Sequence, residues 1–183
     1  QLLSVVVVGI AVALMLISPE LVLIFGSPKY REAVYVIPPV AASVFFIFIY
    51  NILSMPQFYY EKTQFLMAAS MAAAGANVVL NFIFIRLFGY IAAGYTTLAC
   101  YMLYSVGHYI VSKRILVNEG IQENLMSPGF LVACSVFLIG ASIICNLIFP
   151  YGILRYAILL ASAGLVFWKK ELLLKTMADI RKK

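Results

Sequence analysis

Apolar residues in this chain fall into long blocks, and polar residues gather in the short gaps between them. Six blocks stand out, at 2–25, 33–55, 65–87, 90–112, 128–149 and 151–173. Each is near the length of about 20 residues that a helix needs to cross a hydrocarbon core of roughly 30 Å. Barrel strands would be about half as long and would alternate in polarity. These blocks do not alternate, so the pattern predicts helices throughout.

Punctuation supports the boundaries. Ser18-Pro19, Ser27-Pro28 and Ser127-Pro128 each suit an N-cap serine followed by proline at the first helical position. The first pair predicts that the opening helix ends near Ile17 and that a short interfacial helix follows, with Glu20 at its positive end. Pro38-Pro39 lies inside the second block and predicts a kink that frees the carbonyls of Val34 and Tyr35. In the third block Ala68, Ala72 and Ala76 recur every four residues, as do Ala69 and Ala73. Small residues on one face let helices approach closely in lipid.

Composition fixes the solvent. Of 183 residues, 64% are hydrophobic and 11% charged, and the mean hydropathy is +1.03. Soluble chains average roughly 45–50% apolar and about 25% charged. The expectation is an all-α integral membrane protein with six transmembrane helices. The chain opens at Gln1 inside an apolar block, with neither a basic leader nor a cleavage site. A segment of a longer chain is expected.

Charge then orients the spans. The 56–64 loop, the 113–127 loop and the tail from Lys169 carry Lys62, Lys113, Arg114, Lys169, Lys170, Lys175, Arg181, Lys182 and Lys183, nine basic residues. The opposite side carries four: Lys29, Arg31, Arg86 and Arg155. The positive-inside rule places the first set, and both chain ends, in the cytoplasm. Residues 1–173 form the six-span unit, and 174–183 form a basic cytoplasmic tail that either lies on anionic lipid or simply extends the last helix into solvent. The net charge of +6 is thus topogenic, and no nucleic-acid partner is expected.

Candidate chemistry is sparse. Asn77 and Asn81 lie one turn apart on one helix face. Amides are costly in hydrocarbon unless hydrogen-bonded, so this pair either bonds a neighbouring helix or lines a wet cavity. Asn51 and Asn146 pose the same choice singly. Thr96, Thr97, Ser105 and the twelve tyrosines, Tyr101 among them, are candidates to line such a cavity. Tyrosines near span ends also serve as interfacial anchors. His108, the only histidine, is either a groove residue or a packed one. Cys100, Cys134 and Cys145 lack metal-ligand spacing, so no metal site or cofactor is expected. No carboxylate stands mid-span and no nucleophile motif appears, so an enzyme is not expected.

Three stretches carry a family resemblance. "SPELVLIFGSPKYREA", then "YEKTQFLMAASMAAAGANVVLNFIFIRLFGYIAAGYTTLACYMLY", then "SKRI" resemble the C-terminal half of bacterial oligosaccharide flippases, the polysaccharide-biosynthesis exporters of the multidrug/oligosaccharidyl-lipid/polysaccharide superfamily. The resemblance is best between about 18 and 115. It implies one six-helix lobe of a two-lobed, MATE-like transporter in the bacterial cytoplasmic membrane. The partners implied are a lipid-linked oligosaccharide, membrane lipid and an N-terminal lobe of the same protein. The implied activity is movement of a polyprenyl-pyrophosphate glycan across the bilayer by alternating access. On this reading Asn51, Asn77, Asn81, Thr96, Thr97, Tyr101 and His108 line the groove, and Arg86 and Arg155 contact pyrophosphate or else snorkel to water at the outer span ends. A cation-coupled exporter of the same fold is the alternative, and a membrane glycan polymerase or ligase a distant one.

Overall fold

A computed structural model describes residues 1–26, 28–122 and 125–168. Among these residues the regular structure is entirely helical. Helix α1 spans Leu2–Phe25, and a 3-10 segment follows at Pro28–Val36. Helices α2 (Ile37–Tyr59), α3 (Gln64–Phe88), α4 (Ala92–Asn118), α5 (Pro128–Ile148) and α6 (Gly152–Trp168) complete the order. Among the described residues four are long and apolar enough to cross a membrane: α1, α2 with the turns before it, α3 and α5. Helix α4 is the longest at 27 residues, but its glycines, hydroxyls, tyrosines and histidine dilute its apolarity. Helix α6 has 17 residues. The expected basic tail at 174–183, like Ser27, lies outside the described residues.

Two compact units divide the chain, Gln1–Asn146 and Leu147–Lys183. The described helix of the second unit is α6. The first is organised around α2, which packs closely on α1 and α4, while α3 packs on α4. Its core holds Met15 and Leu16 of α1, Ala41, Ala42, Phe45, Ile49 and Leu53 of α2, and Leu98, Ile115 and Leu116 of α4. Gly94 makes the tight approach possible. A Cβ there would stand 2.8 Å from Pro39 Cγ and 2.9 Å from the Val36 carbonyl, too close for any larger residue.

The prolines behave differently from the sequence reading at two places. Helix α1 runs unbroken through Pro19, so no separate interfacial helix forms. Pro19 removes the donor that Met15 O would have received. Ser18 Oγ supplies the replacement, donating to Met15 O at 2.8 Å. Ser18 is therefore a repair inside the helix, not a cap. Pro38 and Pro39 likewise do not kink a helix interior, because α2 starts at Ile37 and the pair occupies its first turn. There the lost donors are ones the helix leaves unpaired anyway. The third pair matches its expectation: α5 begins at Pro128, and Ser127 O accepts from Leu131 N at 3.1 Å.

Helix lengths differ as well. The second block starts helically at 37 and continues to Tyr59, with 33–36 in the 3-10 segment. Helix α4 continues six residues past 112, so Lys113 and Arg114 stand on its last turns and not in a loop. Helix α3 ends at Gly89, whose φ of +76° suits glycine. No residue of α3 is buried. Of its two alanine stripes, Ala69 and Ala73 are half-covered, while Ala68, Ala72 and Ala76 are exposed. The close packing expected of both stripes is realised on neither to the point of burial.

Candidate functional site

Between α2, α3 and α4 lies a groove of about 460 Å³. Tyr50 enters from α2, Ser70, Ala73, Ala74, Asn77 and Val78 from α3, and Thr97, Cys100, Tyr101 and Tyr104 from α4. The spacing explains the convergence. Ser70, Ala73, Ala74 and Asn77 recur at intervals of three or four, as do Thr97, Tyr101 and Tyr104, so each set stacks on one helix face.

Aromatic rings form one wall. Tyr50 stacks parallel to Tyr101 with centroids 6.5 Å apart, and meets Tyr104 at 4.7 Å. Ser70 Oγ donates to Leu66 O at 2.8 Å, so the hydroxyl of Tyr104, 2.6 Å away, donates to Ser70 Oγ. That bond spans α3 and α4.

Amides and hydroxyls form the rest. Thr96 Oγ1 donates to Asn81 Oδ1 at 2.6 Å, and Asn81 Nδ2 donates to Asn77 Oδ1 at 2.9 Å. The relay ends at Asn77, whose Nδ2 donates to no group among the described residues and faces the groove. The sequence left two readings of this pair open, and the two residues divide them. Asn81 bonds the neighbouring helix, and Asn77 lines the cavity. Thr97 lines the groove with its hydroxyl on Ala93 O at 2.8 Å.

Beneath the groove is a buried polar node. His108 and Gln57 are fully buried and Ser112 nearly so. Gln57 Nε2 lies 2.9 Å from His108 Nδ1 and 3.1 Å from Ser112 Oγ, and Ser112 Oγ donates to Leu53 O. The amide has two protons, and these two acceptors lie nearer to it than Leu53 O, 3.5 Å away. His108 Nδ1 is then the acceptor and Nε2 carries the ring proton. Nε2 has no hydrogen-bonding partner. Aromatic rings surround it instead: Tyr104 at 4.5 Å edge-on, Phe65 at 5.5 Å and Tyr50 at 5.8 Å between centroids. His108 thus underpins Tyr50 and Tyr104 from below the groove.

The remaining candidates are scattered. Asn51 is exposed on α2 and donates to Ile47 O at 2.8 Å, away from the groove lining. Arg86 is exposed in the last turn of α3, with its guanidinium 4.0 Å from the centre of the Phe82 ring. Arg155 belongs to the second unit. Its guanidinium lies 4.9 Å from the Tyr156 ring centre. Ser105 faces away from the groove, its hydroxyl on Met102 O at 2.9 Å. Asn146 of α5 joins three elements, donating to Tyr35 O at 3.3 Å and to Tyr95 Oη at 2.9 Å. Tyr35 O is one of the two carbonyls that the Pro38-Pro39 pair deprives of a donor.

Sequence reasoning named Asn77, Thr97 and Tyr101 among the lining residues, included Tyr50 and Tyr104 only within the twelve tyrosines, and missed Ser70. Tyr104 was legible, since it lies three residues after Tyr101 on the same face. Tyr50 and Ser70 come from other helices, and only tertiary packing brings them in. Among the described residues no cluster of histidine, cysteine or acidic side chains could hold a metal ion. No known protein family, no curated protein and no solved structure matches the chain.

Proposed function

We propose that this chain is one lobe of a lipid-linked oligosaccharide flippase, embedded in a bacterial cytoplasmic membrane with both ends inside. The observation that carries the reading is the groove on α2, α3 and α4. It combines stacked tyrosine rings with an amide and hydroxyls, in a chain whose other surfaces are largely apolar. Sugar rings offer C–H faces to aromatic groups and hydroxyls to amides, so the lining suits a glycan. Moving such a molecule breaks no covalent bond, and positioned polar groups suffice. The resemblance noted in the sequence supplies the lipid-linked substrate, the alternating access and the second six-helix lobe that would close the groove.

The same fold in a cation-coupled exporter is the competing reading. The groove lining holds no carboxylate or histidine, which favours the glycan.

Two variants separate transport from packing. Asn77→Leu removes the open Nδ2 together with the Oδ1 that accepts from Asn81, and is expected to lower surface polysaccharide export several-fold with a smaller loss of thermal stability than Asn81→Leu. Asn81→Leu also cuts the bond to Thr96, and is expected to lower both. If export is normal in both while stability falls, the amides serve packing alone and the flippase assignment loses its support.

A further inference from the structure

A second cavity, on the other side of α2 and α4, has a different character. It measures about 340 Å³ and lies between α2 and α4 on one side and the first half of α5 on the other. Phe46, Ile49 and Leu53 of α2 and Val106 of α4 face Val132 and Val136 of α5. Among the described residues α5 packs on the other helices of its unit less closely than α1 packs on α2 or α3 on α4. Asn146 ties its far end to the 3-10 segment and α4, and its near end stands off across the cleft.

The size of the cleft limits its occupant. One turn of helix, roughly 10 Å across and 5.4 Å high, fills about 400 Å³, so a helix would enter the cleft by one face only. A volume of 340 Å³ equals about eleven water-sized units, the bulk of a methylene chain of about as many carbons.

The end of the cleft is charged. A small neighbouring pocket shares Leu53 and Tyr109 with it and adds Ser112 and Lys113. Lys113 is exposed and forms no salt bridge among the described residues. Pro128 opens α5 at the same cleft, bringing the positive end of a 21-residue helix. An apolar slot ending in positive charge is complementary to an anionic lipid.

We propose that the cleft between α2, α4 and α5 binds one acyl chain of an anionic glycerophospholipid, with its phosphate at Lys113. By the charge asymmetry of the loops this end faces the cytoplasm, so the lipid belongs to the inner leaflet. The site requires membrane residence and that orientation, but not glycan transport.

The test is native mass spectrometry of the chain in detergent, titrated with phosphatidylglycerol and, separately, phosphatidylcholine. The expected result is one retained lipid, with phosphatidylglycerol preferred. Lys113→Gln should cut that preference about fivefold, the share of one cationic contact at a membrane surface. Ser135→Trp, which puts an indole across the cleft, should abolish retention of both lipids. Val44→Trp adds the same bulk on an exposed face of α2 outside the cleft and should change nothing. Ser135→Val serves where the tryptophan variant fails to fold, and should retain the lipid with weakened affinity. Equal retention of both lipids by the unaltered chain, or full retention by folded Ser135→Trp, would overturn the proposal.

Discussion

Replacing Gln57 with leucine tests how much the node under the groove stabilises the α2–α4 pair. The side chain is fully buried, and its amide serves His108 Nδ1 at 2.9 Å and Ser112 Oγ at 3.1 Å. Leucine is close in volume, so little cavity forms. Ser112 keeps its own bond to Leu53 O. His108 Nδ1 does not recover a partner, because rings enclose it on three sides. A buried group left unsatisfied costs about 1–3 kcal/mol. Interhelical hydrogen bonds in membranes average only about 0.6 kcal/mol, because the unfolded reference state also finds partners. Enclosure decides between the two figures here, but Gln57 Oε1 is itself buried without a hydrogen-bond partner and leucine removes it, so we expect a loss of about 1 kcal/mol, at the low end of the first range. The double variant Gln57→Leu with His108→Phe removes donor and acceptor together, so it should cost less than the sum of the single changes by about 1 kcal/mol. Reversible denaturant unfolding in detergent, followed by helical circular dichroism, measures all four corners of the cycle. Additivity within about 0.3 kcal/mol would mean that the two side chains do not stabilise each other. A neutral Gln57→Leu would refute the enclosure reasoning outright.

Other outcomes follow from single contacts. Ser18→Ala leaves Met15 O without a donor beside Pro19 and should cost about 1 kcal/mol; unchanged stability would show that this carbonyl is satisfied otherwise. Tyr104→Phe cuts the bond from α4 to Ser70 on α3 while keeping the ring over His108. Disulfide trapping between cysteines at Ala73 and Cys100 in that background should slow, and an unchanged rate would remove the bond from any role in holding α3. In the protein stripped of its native cysteines, one introduced at Lys29 should react with an impermeant thiol reagent on intact cells and one at Gln122 should not. Labelling at Gln122 would reverse the orientation inferred from nine basic residues against four.

Helix positions were legible because apolar blocks and their breaks are local properties. The 128 start of α5 follows from Ser127-Pro128 alone. The prolines at 19 and 38–39 misled because a sequence does not reveal how the deprived carbonyl is treated. At Pro19 the adjacent serine restores the bond, and the helix continues. At Pro38 the helix has only just begun, and Asn146, 111 residues away, donates to Tyr35 O. Asn77 was legible as a cavity residue because its cost in oil demands a partner or water. Its relation to Asn81 and Thr96 was not, since the relay depends on how α4 folds back on α3. His108 was left as either a groove residue or a packed one, and burial with the Gln57 contact makes it packed, beneath the tyrosines.

The two walls of the groove are held by different forces, and this bears on how it works. Helices α2 and α4 share a buried core and the Gln57 node, so their spacing is fixed by close packing. Helix α3 contributes the opposite wall and buries no residue at all. In hydrocarbon, lipid contacts an apolar helix face as well as another helix does, and burial gives little net attraction. In the proposed membrane setting the position of α3 therefore rests on polar contacts to α4, the Tyr104–Ser70 bond near one end and the Thr96–Asn81 bond nearer the other. The first joins two groove-lining hydroxyls, and a ligand's hydroxyl can replace either as partner, whereas Asn81 and Thr96 stand outside the lining. A ligand entering the groove competes for the Tyr104–Ser70 bond, whereas the node beneath holds Tyr50 and Tyr104 in place. Such a groove can widen around a polar substrate without exposing any apolar core, which a groove between two tightly packed helices cannot do.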